Sequence, residues 1–384
     1  MRTAIVHYWL VKMRGGEKVL ELLCDIFPEA DVFTLVYDQA SVSAKISRHK
    51  ITTSFIQKLP LGRKKYRQYL PLHPLAIEQF NLSNYDLVIS SESGIAKGVI
   101  LPPTTCHICY CHSPMRYLWN MYHEYRQTLS TSKRILWAVV SNYMRQWDYV
   151  NSQRVNYFIA NSRNTQSRIK KYYSRESQVI YPPVDFSRFR TNPSEHFYLL
   201  LGQLEHYKKA DLAIRAFNRS RKKLVVIGDG PQKKQLAGIA GPTVTLLGQQ
   251  SDEQVVDYFS KCKAFIFPGE EDFGITPLEA MASGKPVIAY GRGGALETVV
   301  DGKTGVFFHE PTEASLIDAV EKAESIDWNA NQIREHSRQF DTGIAKKRLE
   351  RFITKKYEEF RYDLEKMNRV PASANNSWHT PPVC

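Results

Sequence analysis

The chain contains the stretch Pro268-Gly-Glu-Glu-Asp-Phe-Gly-Ile-Thr-Pro-Leu-Glu-Ala-Met-Ala-Ser-Gly-Lys-Pro-Val-Ile288, in which two carboxylates, Glu271 and Glu279, flank a Phe-Gly turn. The apolar residues 264–267 predict a buried strand before it, and residues 286–289 predict the next strand. Glu271 is therefore expected on a loop at the carboxyl end of a strand, and Glu279 on the helix that follows. Ligands bind at this edge of open α/β sheets, and the free N–H groups of a helix start suit a phosphate.

Strand and helix patterns alternate along most of the chain, which predicts an α/β protein with parallel sheets. A Pro-rich irregular segment interrupts the alternation and is typical of an interdomain linker. We predict a first domain over residues 1–182, a linker over 183–196 and a second domain over 197–343. A charged amphipathic helix is expected over 344–368 and a loose tail, rich in Pro, Ser and Asn, over 369–384.

The composition limits the class of protein. The 384 residues suffice for two domains, and 43% hydrophobic with 24% charged residues is typical of a globular enzyme. Six cysteines in this length do not form a disulfide framework, which favours a reducing cytosol. We see no signal-peptide layout and no apolar window long enough to span a membrane, and so predict a cytoplasmic protein. The net charge of +13 indicates a nucleic acid, an anionic lipid or a phosphorylated substrate as partner.

Positive charge is concentrated in residues 45–67, and no Asp or Glu occurs from Gln39 to Ile77. The basic residues of this stretch are Lys45, Arg48, Lys50, Lys58, Arg63, Lys64, Lys65 and Arg67. Aromatic and aliphatic residues lie between them, a pattern that suits a peripheral contact with an anionic membrane. A solvated surface explains the same pattern equally well, so both interpretations stay open here.

Several short motifs follow one another in a specific order. They are Gly15-Gly16-Glu17, the segment Cys111–Tyr117 around His112, Lys208 shortly after Gly202-Gln203, Gly228-Asp-Gly-Pro231, the stretch with Glu271 and Glu279, and Gly293-Gly294-Ala-Leu-Glu297. In this order the chain resembles the retaining family 4 glycosyltransferases over residues 1–350, most of all bacterial O-antigen and exopolysaccharide mannosyltransferases. The resemblance implies the GT-B fold, in which two Rossmann-like domains face each other across a cleft, with the C-terminal helix packed back on the N-terminal domain. The N-terminal domain would hold the acceptor and the C-terminal domain the nucleotide sugar.

The resemblance also implies roles for individual residues. Lys208 would neutralise the donor diphosphate, while Glu271 and His112 would contact the donor sugar. Glu279 would accept hydrogen bonds from the ribose. Backbone donors for phosphate or sugar are expected at two helix starts, from Gly15, Gly16, Phe273, Gly274 and Ile275. His112, Lys208 and Glu271 are thus the catalytic candidates.

Gln203 departs from the pattern of the family, which usually has an Arg at this position. That Arg and the Lys normally meet the diphosphate together. At this position a neutral amide replaces the charged guanidinium group of Arg. Either the diphosphate binds more weakly, or another cation, such as Lys209, compensates for the missing charge. Gln203 stays a candidate for diphosphate contact.

No metal site is predicted. Cys106, Cys109 and Cys111 belong to one strand pattern, in which Cys106 points to the opposite face from the other two. No second ligand pair occurs at a zinc spacing, and no Asp-x-Asp pair is present for an ion at the diphosphate. The sequence thus favours a reaction without metal or resident cofactor. If Glu271 and Glu279 were both helical they would lie ~12 Å apart along the axis, more than glycosidases use, which weakens a hydrolase interpretation.

These inferences predict retaining transfer of a hexose, with GDP-mannose as the first donor choice and UDP-sugars next. The expected acceptor is a polyprenyl-diphosphate-linked glycan for polysaccharide or lipopolysaccharide synthesis, at the inner face of the plasma membrane. Residues 45–67 would contact the anionic headgroups. The alternative is a non-catalytic, membrane-associated partner protein with the same fold, in which Gln203 would indicate that catalytic activity has been lost. Nucleic-acid binding rests on charge alone and is not predicted.

Overall fold

The computed structural model describes residues 1–368, so the predicted loose tail, 369–384, lies outside the described residues. The strands are β1 (Thr3–His7), β2 (Asp31–Thr34), β3 (Ile51–Thr53), β4 (Leu87–Glu92), β5 (Cys106–Cys111), β6 (Tyr157–Ala160), β7 (Ser177–Val179), β8 (Tyr198–Leu201), β9 (Leu224–Ile227), β10 (Val244–Gly248), β11 (Phe265–Phe267), β12 (Val287–Tyr290) and β13 (Gly305–Phe308).

The α-helices alternate with these strands. They are α1 (Gly15–Ile26), α2 (Ala44–Ser47), α3 (Gly62–Lys65), α4 (His73–Glu78), α5 (Tyr122–Gln127), α6 (Thr131–Arg154), α7 (Arg163–Tyr173), α8 (Ala210–Ser220), α9 (Lys233–Ile239), α10 (Asp252–Lys261), α11 (Ile275–Ala282), α12 (Ala295–Thr298), α13 (Glu313–Glu324), α14 (Ala330–Ser337) and α15 (Thr342–Asn368).

Two parallel sheets organise the molecule. The first has seven strands in the order β3-β2-β1-β4-β5-β6-β7, and the second has six in the order β10-β9-β8-β11-β12-β13. Every neighbouring pair is parallel. The predicted α/β class with two Rossmann-like sheets is therefore confirmed.

Each sheet is covered on both faces, as parallel sheets require. In β1, Ala4 and Val6 belong to one buried cluster and Ile5 to another, because successive side chains point to opposite faces. In β8, Leu199 and Leu200 are divided between two clusters in the same way. The central strands β1, β4 and β5 are buried along their whole length, including the polar end of β4, Ser90-Ser91-Glu92.

The last helix returns to the first sheet. Ala345, Leu349 and Ile353 of α15 are buried in the cluster that also contains Val19 and Leu20 of α1. The chain therefore crosses between the two sheets twice, once near residue 184 and once at the start of α15. Within residues 1–368, no helix combines the length and apolarity that crossing a membrane needs.

Candidate active site

The candidate residues lie where the strand order of each sheet reverses. In the first sheet β1 and β4 are neighbours at this point, and His7 lies opposite Ser91 at their carboxyl ends. In the second sheet β8 and β11 are neighbours, and the loops that follow them carry Lys208 and Glu271. A crevice forms at such a switch point because the chain leaves adjacent strands toward opposite faces.

Lys208 and Glu271 form an ion pair. Lys208 ends a short 3-10 helix, and Glu271 lies in the loop between β11 and α11. Gly269 permits their approach, because a β-carbon there would lie 2.7 Å from the carbonyl oxygen of Tyr207 and 2.8 Å from Cα of Lys208. The Lys208 side chain is 20% exposed and that of Glu271 is 19% exposed, so a ligand can reach both.

Lys208 is held as a cation. Burial alone would lower the pKa of its ammonium group, but the nearby carboxylate of Glu271 outweighs burial, and the pKa lies above its usual value. A cation that is mostly removed from water interacts strongly with a phosphate. The side chain is therefore suited to neutralise a leaving diphosphate.

The start of α11 adds backbone donors beside this pair. Gly274 precedes the helix with a φ of 89°, in the left-handed region that favours glycine. A β-carbon at Gly274 would also lie 2.9 Å from Cζ of the buried Phe267. The N–H groups of the first turn, which begins at Ile275, have no partners within the helix and lie at the positive end of its dipole.

Glu279 lies one turn further along α11 and is half-buried. Burial raises the pKa of its carboxyl group to about 7. Its carboxylate can accept hydrogen bonds from two neighbouring hydroxyls, such as those of a ribose.

A second glycine pair fixes the loop that carries Glu271. The N–H of Gly294 donates to the carbonyl oxygen of Glu271 at 2.9 Å. A β-carbon at Gly293 would lie 2.4 Å from that oxygen, and one at Gly294 would lie 2.2 Å from Cα of Phe273. Larger residues would push the loop away from Lys208, which gives the Gly293-Gly294 motif a physical reason.

The start of α1 faces the start of α11 across the cleft. A β-carbon at Gly15 would lie 2.7 Å from Cδ1 of Ile275. A β-carbon at Gly16 would lie 2.3 Å from Oη of Tyr8 and 3.6 Å from Nε2 of His112. The fold thus brings the glycine pair and His112 of the N-terminal domain together, and it sets them against the first turn of α11.

His112 is oriented by a chain of buried polar groups. Its Nε2 is hydrogen-bonded to Oγ of Ser91 at 2.9 Å, and the same Oγ lies 3.0 Å from Nδ1 of His7. Nε2 of His7 lies 3.5 Å from Oε1 of Glu17. Burial, followed by the proximity of His7, lowers the pKa of His112 to about 3. His112 is therefore neutral near pH 7 and can exchange hydrogen bonds with a sugar without carrying charge.

Ion pairs that the sequence did not predict join the two domains. Arg168 of α7 forms an ion pair with Asp272, and its Nη2 lies 3.5 Å from Oε1 of Glu270. Nη1 of Arg116 lies 3.7 Å from Oδ2 of Asp272, and its Nη2 donates to the carbonyl oxygen of Glu270 at 3.3 Å. The loop that carries Glu271 is thereby tied to the N-terminal domain.

A further contact across the domains is made by Glu297. Its carboxylate accepts from the backbone N–H groups of Arg163 and Asn164 at 2.8 and 2.9 Å. These groups begin α7, so the carboxylate lies at the positive end of that helix dipole. Glu297 therefore helps to hold the domains together, a role that its place in the Gly293–Glu297 motif did not reveal.

Gln203 lies in the loop between β8 and Lys208. The guanidinium carbon of Arg116 lies 5.2 Å from the centroid of the Tyr207 ring, and Nζ of Lys208 lies 5.5 Å from the same centroid. Arg116 of the N-terminal domain and Lys208 therefore both lie beside the Tyr207 ring.

No metal cluster is evident in the part of the chain that the structure describes, since no three His, Cys, Asp or Glu side chains there are grouped to hold an ion. Cys106 packs on one face of the first sheet, whereas Cys109 and Cys111 pack on the other. The three thiols therefore do not converge.

Comparison with known proteins gives matches over most of the chain. Residues 13–188 match the model of Glycosyltransferase Family 4, and residues 184–340 match that of Glycosyl transferases group 1. An uncharacterized glycosyltransferase of Methanocaldococcus jannaschii is 24% identical over 58% of this chain and 64% of its own. The O-antigen chain mannosyltransferase C of Escherichia coli is 24% identical over 48% of this chain and 55% of its own. The chain thus spans less than two thirds of the length of either relative.

Among solved structures, the Anabaena protein HepE in complex with UDP and glucose superposes with a TM-score of 0.67 at 16% identity. The match covers 92% of this chain and all of that one. At this identity the likeness concerns the fold, and it extends over both sheets.

Proposed function

The chain belongs to the family 4 and group 1 glycosyltransferases, and we propose that it transfers a hexose from a nucleotide diphosphate sugar to a glycan acceptor. The observation that carries this proposal is the ion pair of Lys208 and Glu271 beside the start of α11. Gly15 and His112 of the other domain face this cluster across the cleft. The cleft thus combines a cation, the free N–H groups of a helix start and side chains that can contact a sugar. This combination suits a nucleotide diphosphate sugar.

The donor would span the site in a fixed direction. Its diphosphate would bind Lys208 and the first turn of α11, and its ribose would bind Glu279. The hexose would then lie toward Glu271 and His112. GDP-mannose is our first choice of donor, which the name of the Escherichia coli relative supports, and UDP-sugars come next. We propose that neither a metal nor a resident cofactor takes part, since Lys208 and Arg116 supply positive charge here.

We propose a retaining, front-face reaction. The bond between the anomeric carbon and the diphosphate oxygen breaks, and the acceptor hydroxyl forms the new bond on the same face. Its proton passes to the departing phosphate oxygen, so no protein base is needed. Lys208 stabilises the charge that develops on the diphosphate, a contribution of several kcal/mol in comparable sites. Closure of the domains would exclude the water that could hydrolyse the donor.

The proposed acceptor is a polyprenyl-diphosphate-linked glycan at the inner face of the plasma membrane. Residues 45–67 would contact anionic headgroups there, although part of their charge is already balanced. Nζ of Lys45 and Nη2 of Arg48 lie 2.6 and 3.6 Å from the carboxylate of Asp25. Nη1 of Arg63 lies 3.7 Å from that of Asp38. The remaining charge is concentrated toward the end of the stretch.

The proposal is tested by incubating the purified protein with GDP-mannose, UDP-glucose and UDP-galactose, each with a polyprenyl-diphosphate-linked glycan. Mass spectrometry would detect the added hexose, and the proton coupling of the new anomeric centre would report the stereochemistry. We expect one donor to give a product that keeps the donor's configuration. Failure of every donor, in transfer and in slow hydrolysis alike, would favour the non-catalytic partner protein instead.

A further inference from the structure

Helix α6 presents an apolar face to solvent. Five of its large hydrophobic side chains are more than half exposed: Ile135 (68%), Leu136 (65%), Val139 (67%), Tyr143 (53%) and Val150 (57%). At 3.6 residues per turn they fall on one side of the helix, and they extend along it for ~22 Å. Large aliphatic side chains are usually buried, and a contiguous apolar patch marks a surface that meets a partner.

The opposite face of α6 is fixed in the N-terminal domain. Oδ2 of Asp148 accepts from Nε1 of Trp119 at 2.7 Å and from the hydroxyl of Tyr173 at 2.9 Å. Nη1 of Arg145 donates to the carbonyl oxygen of Leu118 at 3.1 Å. The helix therefore cannot turn its apolar face inward without breaking these contacts, and its exposed side chains need a partner from outside.

The charges around this face select the kind of partner. Asp148 is the single acidic residue between 131 and 154, and it is fully buried. The exposed charged side chains of α6, Lys133 and Arg154, are both basic. Basic residues on the same helix as an apolar face attract an anionic lipid surface, and a net charge of +13 disfavours contact with a second copy of the chain.

We propose that the outer face of α6 is a membrane-docking surface, which inserts its aliphatic side chains between the lipids of an anionic leaflet. The helix would lie in the plane of the interface, with Tyr143 at the level of the headgroups. This surface is separate from residues 45–67, which supply charge. Insertion of apolar side chains predicts binding that persists at salt concentrations where charge alone is screened.

The position of α6 connects docking with the candidate site. Its inner contacts, Trp119 and Leu118, belong to the segment that follows His112. In this respect the inference rests on the proposed function, because a lipid-linked acceptor would then enter the cleft from the docked side. The docking itself does not depend on which sugar is transferred.

The test is flotation of the full chain with anionic vesicles of phosphatidylglycerol and phosphatidylethanolamine, and with phosphatidylcholine vesicles as the uncharged control. Each is measured at low salt and at 0.5 M salt, where the screening length is ~4 Å. Leu136→Ser together with Val139→Ser should weaken partitioning onto the anionic vesicles about tenfold or more, given the apolar area removed. Leu136→Phe should keep the partitioning of the unchanged protein. Tyr362→Ser, at a side chain of α15 that is 69% exposed, is the matched control and should bind as the unchanged protein does.

Light scattering and nucleotide-induced thermal stabilisation complete the test. We expect a monomer in solution for every variant, and unchanged stabilisation by GDP or UDP, because α6 does not contact the proposed nucleotide site. Equal partitioning of the double variant and the unchanged protein would overturn the proposal. So would a dimer that the double variant converts to a monomer, since a second copy would then cover the face. Absence of transfer with intact vesicle binding would refute the proposed function and leave the docking surface standing.

Discussion

Lys208 and Glu271 are each other's ion-pair partner at the mouth of the cleft. In the proposed reaction, a diphosphate that binds Lys208 would compete with Glu271 for the ammonium group. The carboxylate would then be available to accept hydrogen bonds from the donor sugar. On this proposal the two residues act on different parts of the donor, so their substitutions should have different effects.

Lys208→Ala should lower the rate of transfer roughly 10²- to 10³-fold, the usual loss when a group that stabilises developing charge is removed. It should also reduce the thermal stabilisation produced by GDP or UDP. Glu271→Gln should lower the rate while nucleotide stabilisation persists, because GDP and UDP lack the hexose that Glu271 is proposed to contact. Lys234→Ala, at an exposed lysine of α9, is the control. Equal loss of nucleotide binding in both active-site variants would refute this division of roles.

Glu279→Gln should change how stability depends on pH. Burial raises the pKa of Glu279 from 4.5 to about 7, so between these values the native state keeps a proton that the unfolded state has released. The free energy of unfolding contributed by this group therefore falls as pH rises across that window. We expect the variant to gain thermal stability relative to the unchanged protein at pH 8 but not at pH 4.

The same substitution should affect nucleotide affinity in the opposite sense. An ionised carboxylate accepts from ribose hydroxyls more strongly than a protonated one, so affinity for GDP or UDP should rise as pH increases through about 7. In Glu279→Gln the affinity should be roughly tenfold weaker at pH 8 and this pH dependence should vanish. Calorimetric titration at pH 6 and pH 8 measures both effects, and a pH dependence that survives in the variant would assign it to another group.

Gly16→Ala should reduce transfer at least about tenfold, since the new methyl group would displace Tyr8, whose ring centroid lies 6.4 Å from that of His112, and small misplacements of reacting groups are costly. Gly238→Ala is the matched control. It adds the same methyl group within α9, where no atom lies within 4 Å, and alanine there favours the helix. Transfer rates and far-ultraviolet circular dichroism separate loss of activity from loss of fold. Full activity of Gly16→Ala would show that transfer does not depend on the close packing around His112.

The central strands and the motif residues could be predicted from the sequence because each carries a local signal. Apolar runs such as residues 264–267 mark strands that are buried on both faces. The strands β3 and β7 lie at the edges of the first sheet and were not predicted, because three residues that are only partly buried leave too short a pattern. The helix α6 was also missed, since its apolar residues are divided between an inner and an outer face.

The contacts between the domains could not be predicted from local sequence. Arg168 and Asp272 are separated by 104 positions, and nothing in the sequence around Arg168 or Ser91 singles either residue out. Arg116 and Glu17 did lie inside motifs, but their motifs did not indicate whether they bind a ligand or another side chain. Only the packing of the two sheets brings these groups together.

Asp272→Asn should loosen the cleft, because it removes the carboxylate that Arg168 and Arg116 share. We expect a larger radius of gyration by small-angle X-ray scattering and faster hydrogen exchange in the loop between β11 and α11. Asp257→Asn removes a surface ion pair with Lys261 and is the control. An unchanged radius of gyration and exchange rate would mean that these ion pairs do not hold the domains together.

The most direct measurement is a crystal structure of the protein with GDP-mannose, or with the nucleotide that stabilises it most. We expect a diphosphate bound to Nζ of Lys208 and to the first N–H groups of α11, with the ribose at Glu279 and the hexose between Glu271 and His112. A nucleotide bound outside the cleft, or one inside it that leaves the Lys208–Glu271 pair intact, would refute the proposed site.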